Sequence, residues 1–189
     1  LKKISFPNAT NGAEQPVYDP PTGLFYMSIP ATVANPGGEI AVIDPVGLAV
    51  TASYPLKNCG PNGAALGPGN QLLAGCGKAH RTVIIDKTNG AVLADFSNVG
   101  GSDEVWFNPG DNRYYLGESA AQNLGIIDAL TLTVVGEVQS GVGAHSVAAD
   151  PSNNHIFVPI AAPDPACPKG CIGVYSTVNL DENGRSRAL

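Results

Sequence analysis

A repeat of about 42 residues runs through the chain and limits its fold more than any other feature. Three similar tetrads end in Asp44, Asp86 and Asp128, which are 42 residues apart, and a degenerate fourth copy lies at 172–176. The prolines of four X-Pro turns keep nearly the same spacing, at positions 20, 68, 109 and 151. Because two independent series share one period, the units are expected to be structural repeats of one kind.

Each repeat predicts four short strands, which we call A to D in chain order. The X-Pro turn joins A to B, the tetrad forms C, and a short turn after its Asp leads to D. Four antiparallel strands in about 42 residues are typical of a β-propeller blade, and the shared period disfavours a β-sandwich. The sequence therefore predicts an all-β fold, a β-propeller domain over 1–176 with four-stranded antiparallel blades at 12–56, 60–98, 101–140 and 143–176.

The first seven residues resemble the D strand of the first repeat. Residues 4–7 align with 52–55, and each stretch is followed by a glycine at the same offset. We expect 1–7 to form a D strand that closes the fourth blade, and 177–189 to be a polar tail. Three arrangements stay open: a complete four-bladed ring, a homodimer that completes an eight-bladed ring, and a fragment of a larger propeller.

The charge balance narrows the possible partners. The formal net charge is −6, and only ten Lys and Arg are spread over 189 residues. Binding to nucleic acid or to an anionic membrane needs clustered cations, so neither partner is expected. No apolar run reaches the roughly 18 residues that a membrane span needs. The remaining partners are a small-molecule substrate, or a protein or glycan ligand.

One column of the repeat carries four different polar side chains. Six positions before each turn proline lie Glu14, Asn62, Asp103 and His145, and a glycine precedes each of them by two positions. The glycines are expected to turn the backbone toward the channel. The four side chains could hold a divalent metal, since the oxygens favour Ca²⁺, Mg²⁺ or Mn²⁺ and the imidazole favours Zn²⁺. The alternative is that they only hydrogen-bond channel water and cap their strands.

The repeat also resembles known propeller families. The A–B hairpin at 143–151 is similar to those of YVTN-type repeats, and the column resembles the metal site of the gluconolactonase and senescence-marker-protein family. That resemblance implies that Glu14, Asn62 and Asp103 hold a divalent cation, which activates water for lactone hydrolysis. It also implies that His145 or Glu104 acts as the general base.

Three functions therefore stay open. The first is a metal-dependent hydrolase of lactones or esters, and the second is a non-catalytic binding or scaffold propeller that recognises a protein or glycan through its variable B–C loops. A lyase that uses His145 as its base is the third. Trp106 is expected to pack between blades, and His80 and His155 are expected to be solvated surface residues.

The four cysteines fit the blade map as two pairs. Cys59 and Cys76 fall at the same end of an antiparallel pair of strands, and Cys167 and Cys171 can pin the fourth B–C loop. A four-cysteine zinc site needs two close pairs, and Cys59 with Cys76 is not such a pair. We therefore expect two disulfides and an extracellular or periplasmic location.

Overall fold

A computed structural model describes residues 2–176 and the two short strands Asn179–Leu180 and Ser186–Arg187. These residues form strands and turns, and no helix among them is long and apolar enough to cross a membrane. The two short strands, β16 and β17, pair with each other. The predicted polar tail otherwise lies outside the described residues.

Three sheets contain four antiparallel strands each, arranged in chain order. The first comprises β1 (Pro16–Asp19), β2 (Leu24–Ile29), β3 (Glu39–Asp44) and β4 (Ala49–Pro55). The second comprises β5 (Pro61–Leu66), β6 (Gln71–Cys76), β7 (Arg81–Asp86) and β8 (Val92–Phe96). The third comprises β9 (Val105–Asn108), β10 (Arg113–Glu118), β11 (Asn123–Asp128) and β12 (Thr133–Gln139). The prediction of an all-β propeller with four-stranded blades is thereby confirmed.

The fourth blade differs from the prediction. Its sheet has three strands, β13 (Ala148–Asp150), β14 (His155–Ile160) and β15 (Cys171–Ser176). The predicted closing D strand at 1–7 is wrong for the described residues 2–7, which form no strand.

The N-terminal segment lies against the first blade instead. Asn8 accepts a backbone hydrogen bond from Val33, and Thr10 donates one to Ala31, so the B–C loop of the first blade holds this segment. Phe6 is half-buried and lines a pocket together with Ile29 and Val50 of the first blade. The backbone partners of the segment are therefore close in sequence rather than at the far end of the chain.

The turn after the C strand in each of the first three blades explains the repeated aspartate. The Oδ1 atoms of Asp44 and Asp86 each accept the N–H of the residue two positions on, at 2.8 Å, and Asp128 does the same at 2.9 Å. Such Asx turns cap a tight reversal without help from the rest of the fold. The aspartate is therefore a local structural residue.

The core lies between the blades, as sheet packs on sheet. Three apolar clusters fill the three interfaces between consecutive blades. Tyr26 and Leu72 belong to the first, Tyr114 and Ile84 to the second, and Tyr115 to the third. The A strands β1, β5, β9 and β13 follow one another along the inner side, and no comparable contact joins β13 to β1 in the described part of the chain.

Both predicted disulfides are present. Cys59–Cys76 ties the start of the second blade to the end of β6, and both cysteines are fully buried. Cys167–Cys171 closes a short turn in the fourth B–C loop, where Cys171 is exposed. No free cysteine remains. The oxidised pairs are consistent with folding in an oxidising compartment.

Candidate functional site

The polar column lies where each D–A connection enters its inner strand. The glycine two positions before each column residue has a positive φ of between 56° and 76°, a conformation that favours glycine: Gly12, Gly60, Gly101 and Gly143. Each glycine thus adopts a conformation that suits a local turn, and the predicted direction of that turn toward the channel stays a prediction. Backbone hydrogen bonds from Gly77 to Gly60 and from Ala161 to Val142 place the D–A connections beside the B–C loops, on one face of the molecule.

Three of the four column residues form a continuous row, which we call the channel-mouth row: Asn62, Asp103 and His145. The amide of Asn62 donates to Asp103 Oδ1 at 3.2 Å, and His145 Nδ1 lies 3.6 Å from Asp103 Oδ2. Space for the Asn62 side chain depends on Gly77, since an added Cβ there would lie 2.5 Å from its amide nitrogen. About half of each side chain of Asp103 and His145 is exposed, so the row can contact a ligand.

Glu14 and Glu104 do not join this row. Among the described residues, no hydrogen bond or ion pair links the Glu14 carboxylate to Asn62, Asp103 or His145. Glu104 follows Asp103 directly, and its carboxylate accepts a hydrogen bond from the Ser146 hydroxyl. Glu104 and Ser146 are therefore a second contact between the third and fourth blades, separate from the pair of Asp103 with His145.

The gluconolactonase-like ligand set fits this geometry only in part. Asn62 and Asp103 are neighbours joined by a hydrogen bond, whereas the Glu14 carboxylate forms no hydrogen bond or ion pair with either of them among the described residues. Three carboxylate or imidazole ligands converge at one place in the described residues, and none of the four column residues belongs to it.

A groove lies on the inner strands of the first three blades, and we call it the channel groove. The groove has a volume of about 300 Å³. It is lined by three segments, each of which follows a column residue of one of the first three blades in the chain. These segments are 15–17, 64–66 and 105–107. Trp106 lines the groove and is 42% exposed, so the expectation that it packs between blades is wrong. Phe107 does pack in the core, 5.2 Å from the ring of Tyr114.

The structure contains a second cluster of carboxylate and imidazole groups, which the sequence analysis did not predict. Glu118, Glu137 and His80 each offer one ligand atom, and these atoms lie within 4.8 Å of one another. Burial and the neighbouring carboxyl group of Glu137 raise the pKa of Glu118 to about 8. His80, expected to be solvated, contacts the Gly100 carbonyl and Glu137.

The special role of Glu118 could have been predicted from its position in the repeat. This residue ends the B strand of the third blade, at the position occupied by Ile29, Cys76 and Ile160 in the other blades. A carboxylate in an otherwise apolar column is expensive to bury, so it marks a special site. The partners Glu137 and His80 carry no comparable signal, because they are ordinary polar residues at exposed positions.

Comparison with known proteins supports the fold alone. No family model matches the chain, and no curated protein matches it. A chain of hydrazine synthase from Kuenenia stuttgartiensis is similar in structure, with a TM-score of 0.71 and 13% sequence identity. The match covers 94% of this chain and 53% of that chain, so this chain spans about half the length of its structural neighbour.

Proposed function

We propose that the protein is a secreted β-propeller that binds an uncharged glycan at the channel-mouth row and the channel groove. The observation that carries this proposal is the position of Trp106, half-exposed in a groove lined by segments that follow Asn62 and Asp103 in the chain. An indole face packs against the apolar face of a sugar ring, while an amide, a carboxylate and an imidazole supply donors and acceptors for its hydroxyl groups.

The charge of the site favours a neutral ligand. Three carboxylates, those of Glu14, Asp103 and Glu104, lie in or beside the column, and the formal net charge of the chain is −6. An anionic ligand would be repelled by these groups, whereas sugar hydroxyls can donate to them. Secretion is proposed from the two disulfides, which persist in oxidising compartments, where extracellular glycans are also found.

The test uses the only tryptophan of the chain as a probe. A panel of uncharged oligosaccharides is titrated into the protein while Trp106 fluorescence is recorded, and calorimetry then measures the affinity of any ligand that changes it. We expect Asp103→Asn and His145→Gln to weaken binding by about tenfold or more, since each removes a hydrogen bond to a charged or polar partner.

A matched control is available at the opposite end of the blades. His155 lies at an A–B hairpin, away from the B–C loops, so His155→Gln should bind like the wild type. The proposal is wrong if no uncharged oligosaccharide changes the fluorescence, if an anionic glycan binds more tightly, or if His155→Gln weakens binding as much as His145→Gln.

The contact between Asp103 and His145 favours a second candidate, the lactone or ester hydrolase. A carboxylate 3.6 Å from an imidazole nitrogen can orient the ring, which suits a general base. A divalent cation held by Asn62 and Asp103 would supply activation of water. This candidate would be favoured if the wild type hydrolysed simple lactones or aryl esters and if both His145→Gln and treatment with a chelator abolished the activity. Equal rates in the wild type and in His145→Gln would exclude it.

A further inference from the structure

We propose that His80, Glu118 and Glu137 form a zinc site at the junction of the second and third blades, and we call these residues the junction cluster. His80 comes from the B–C turn of the second blade, Glu118 ends β10, and Glu137 lies in β12. The site shares no residue with the channel-mouth row or the channel groove. It therefore stands independently of the proposed glycan binding.

Glu118 provides the observation that points to a ligand. Its side chain is completely buried, Oε1 accepts a hydrogen bond from the Gly100 N–H at 2.8 Å, and Oε2 finds no N–H or hydroxyl donor among the described residues. A buried carboxylate oxygen without a donor is costly, and a bound cation would satisfy it. Gly125 leaves room for this carboxylate, because an added Cβ there would lie 2.4 Å from Oε1.

His80 presents its Nε2 atom to the cluster. Its Nδ1 lies 3.2 Å from the Gly100 carbonyl oxygen. A carbonyl only accepts hydrogen bonds, so Nδ1 carries the proton in the neutral ring and Nε2 is left as a ligand atom. A backbone carbonyl that fixes the tautomer in this way is the usual outer partner of a metal-binding histidine.

Glu137 is positioned in a similar way. Its Oε2 accepts a hydrogen bond from the Asn123 amide at 3.3 Å, while its Oε1 lies 3.4 Å from His80 Nε2. In a tetrahedral zinc site with bonds of about 2.0–2.1 Å, two ligand atoms lie about 3.4 Å apart. The pair formed by His80 and Glu137 therefore already has the separation that zinc requires.

The donor set selects among divalent ions. One imidazole nitrogen and two carboxylate oxygens make three protein ligands, and the partial exposure of His80 and Glu137 leaves a position for water. Calcium would need six to eight oxygen ligands, whereas only two residues of the cluster carry carboxylate oxygens. Imidazole suits zinc and its neighbours in the first transition row, so zinc fits the cluster best.

The test is a zinc titration of the metal-free, disulfide-bonded protein by calorimetry. We expect one zinc ion per chain in the wild type and an affinity lower by about tenfold or more in His80→Gln and Glu137→Gln. These two side chains are partly exposed, so both variants should keep the fold, as circular dichroism will check. Titration with cobalt should give the visible absorption of a four-coordinate ion in the wild type and lose it in both variants.

Two controls locate the ion. His155→Gln should bind zinc like the wild type, and His145→Gln should do so as well, since neither residue belongs to the junction cluster. The proposal is overturned if the wild type binds no zinc, if His80→Gln and Glu137→Gln bind it as tightly as the wild type, or if only His145→Gln loses it. Zinc binding without glycan binding would leave this proposal intact and reject only the proposed function.

Discussion

The Lys87 ammonium lies 2.8 Å from Asp19 Oδ2, in an ion pair that joins the second blade to the first. Both side chains are buried, and the Thr22 hydroxyl also donates to Asp19 Oδ2, at 2.7 Å. Asp19 ends β1, and Lys87 lies in the turn between β7 and β8. The pair therefore fixes the relative position of two blades on the face opposite the channel-mouth row.

Removing Lys87 should destabilise the protein strongly. Lys87→Met leaves the Asp19 carboxylate buried without its cation, and we expect a loss of about 3–5 kcal/mol in the free energy of unfolding, measured in urea. The double variant Asp19→Asn/Lys87→Met should recover part of this loss, because no charge is then left unpaired. A loss below about 1 kcal/mol in Lys87→Met would contradict a buried pair, since exposed pairs contribute that little.

The same pair predicts a dependence of stability on acid pH. Burial alone would raise the pKa of Asp19, but the hydrogen bonds from Lys87 and Thr22 and the charge of Lys87 outweigh it and lower this pKa. A carboxylate with a lowered folded-state pKa contributes stability above its unfolded value of about 3.9, and this contribution is lost as the pH falls through the folded value.

The measurement compares wild type with Asp19→Asn in urea between about pH 6 and pH 2.5. The wild type should be the more stable at pH 6, and the difference should shrink below about pH 3.9 as Asp19 becomes protonated. A difference that stays constant across this range would show that the carboxylate charge of Asp19 does not contribute.

Gly100 should tolerate substitution much less well than its neighbour Gly101. Gly100 has a φ of 140°, and an added Cβ would lie 2.1 Å from the Arg81 carbonyl oxygen. Gly101 has a φ of 75°, but the nearest atom to an added Cβ is 3.9 Å away. We expect Gly101→Ala to cost about 1–2 kcal/mol from backbone strain and Gly100→Ala about 3 kcal/mol or more, since a steric clash is added.

Urea unfolding of the two alanine variants measures this difference. Gly100 also donates its N–H to Glu118 and accepts from His80, so Gly100→Ala should lower zinc affinity where Gly101→Ala does not. Equal losses of stability in the two variants would mean that the backbone relaxes around Gly100 without cost.

The repeat could be predicted from sequence because each of its parts acts locally. Asp44 ends a strand and accepts the N–H of the residue two positions on, and Asp86 and Asp128 do the same in the second and third blades. The column glycines likewise act on their own backbone, and their positive φ followed from their position. Residues with such local roles recur at the period of the repeat, so their roles can be predicted before the fold is known.

The failures concern contacts between distant parts of the chain. Residues 4–7 look like a D strand, but they form no strand, and the residues that follow them, Asn8 and Thr10, hydrogen-bond to the first B–C loop. The junction cluster combines His80 with Glu118 and Glu137, from two blades and at no fixed spacing. The approach of these residues depends on Gly100 and Gly125, whose role appears only once the blades are packed.

The two disulfides should differ in their resistance to reduction. Cys59 and Cys76 are completely buried, so a reductant can reach their bond only when the blade opens. Cys171 is exposed, and its bond to Cys167 lies in a surface loop. Increasing dithiothreitol followed by alkylation and peptide mass spectrometry should therefore label Cys167 and Cys171 first, in a protein that remains folded.

The two bonds should also differ in their contribution to stability. Cys59–Cys76 spans 17 residues and is expected to contribute about 3 kcal/mol, whereas Cys167–Cys171 spans 4 and is expected to contribute about 2 kcal/mol. The free energy of unfolding should therefore fall further in Cys59→Ala/Cys76→Ala than chain entropy alone predicts. This variant also removes two buried sulfur atoms from the core between the first two blades. Urea unfolding of this variant and of Cys167→Ser/Cys171→Ser measures the contribution of each disulfide to the free energy of unfolding. Labelling of Cys59 at the same dithiothreitol concentration as Cys171 in folded protein would contradict the protection that burial provides.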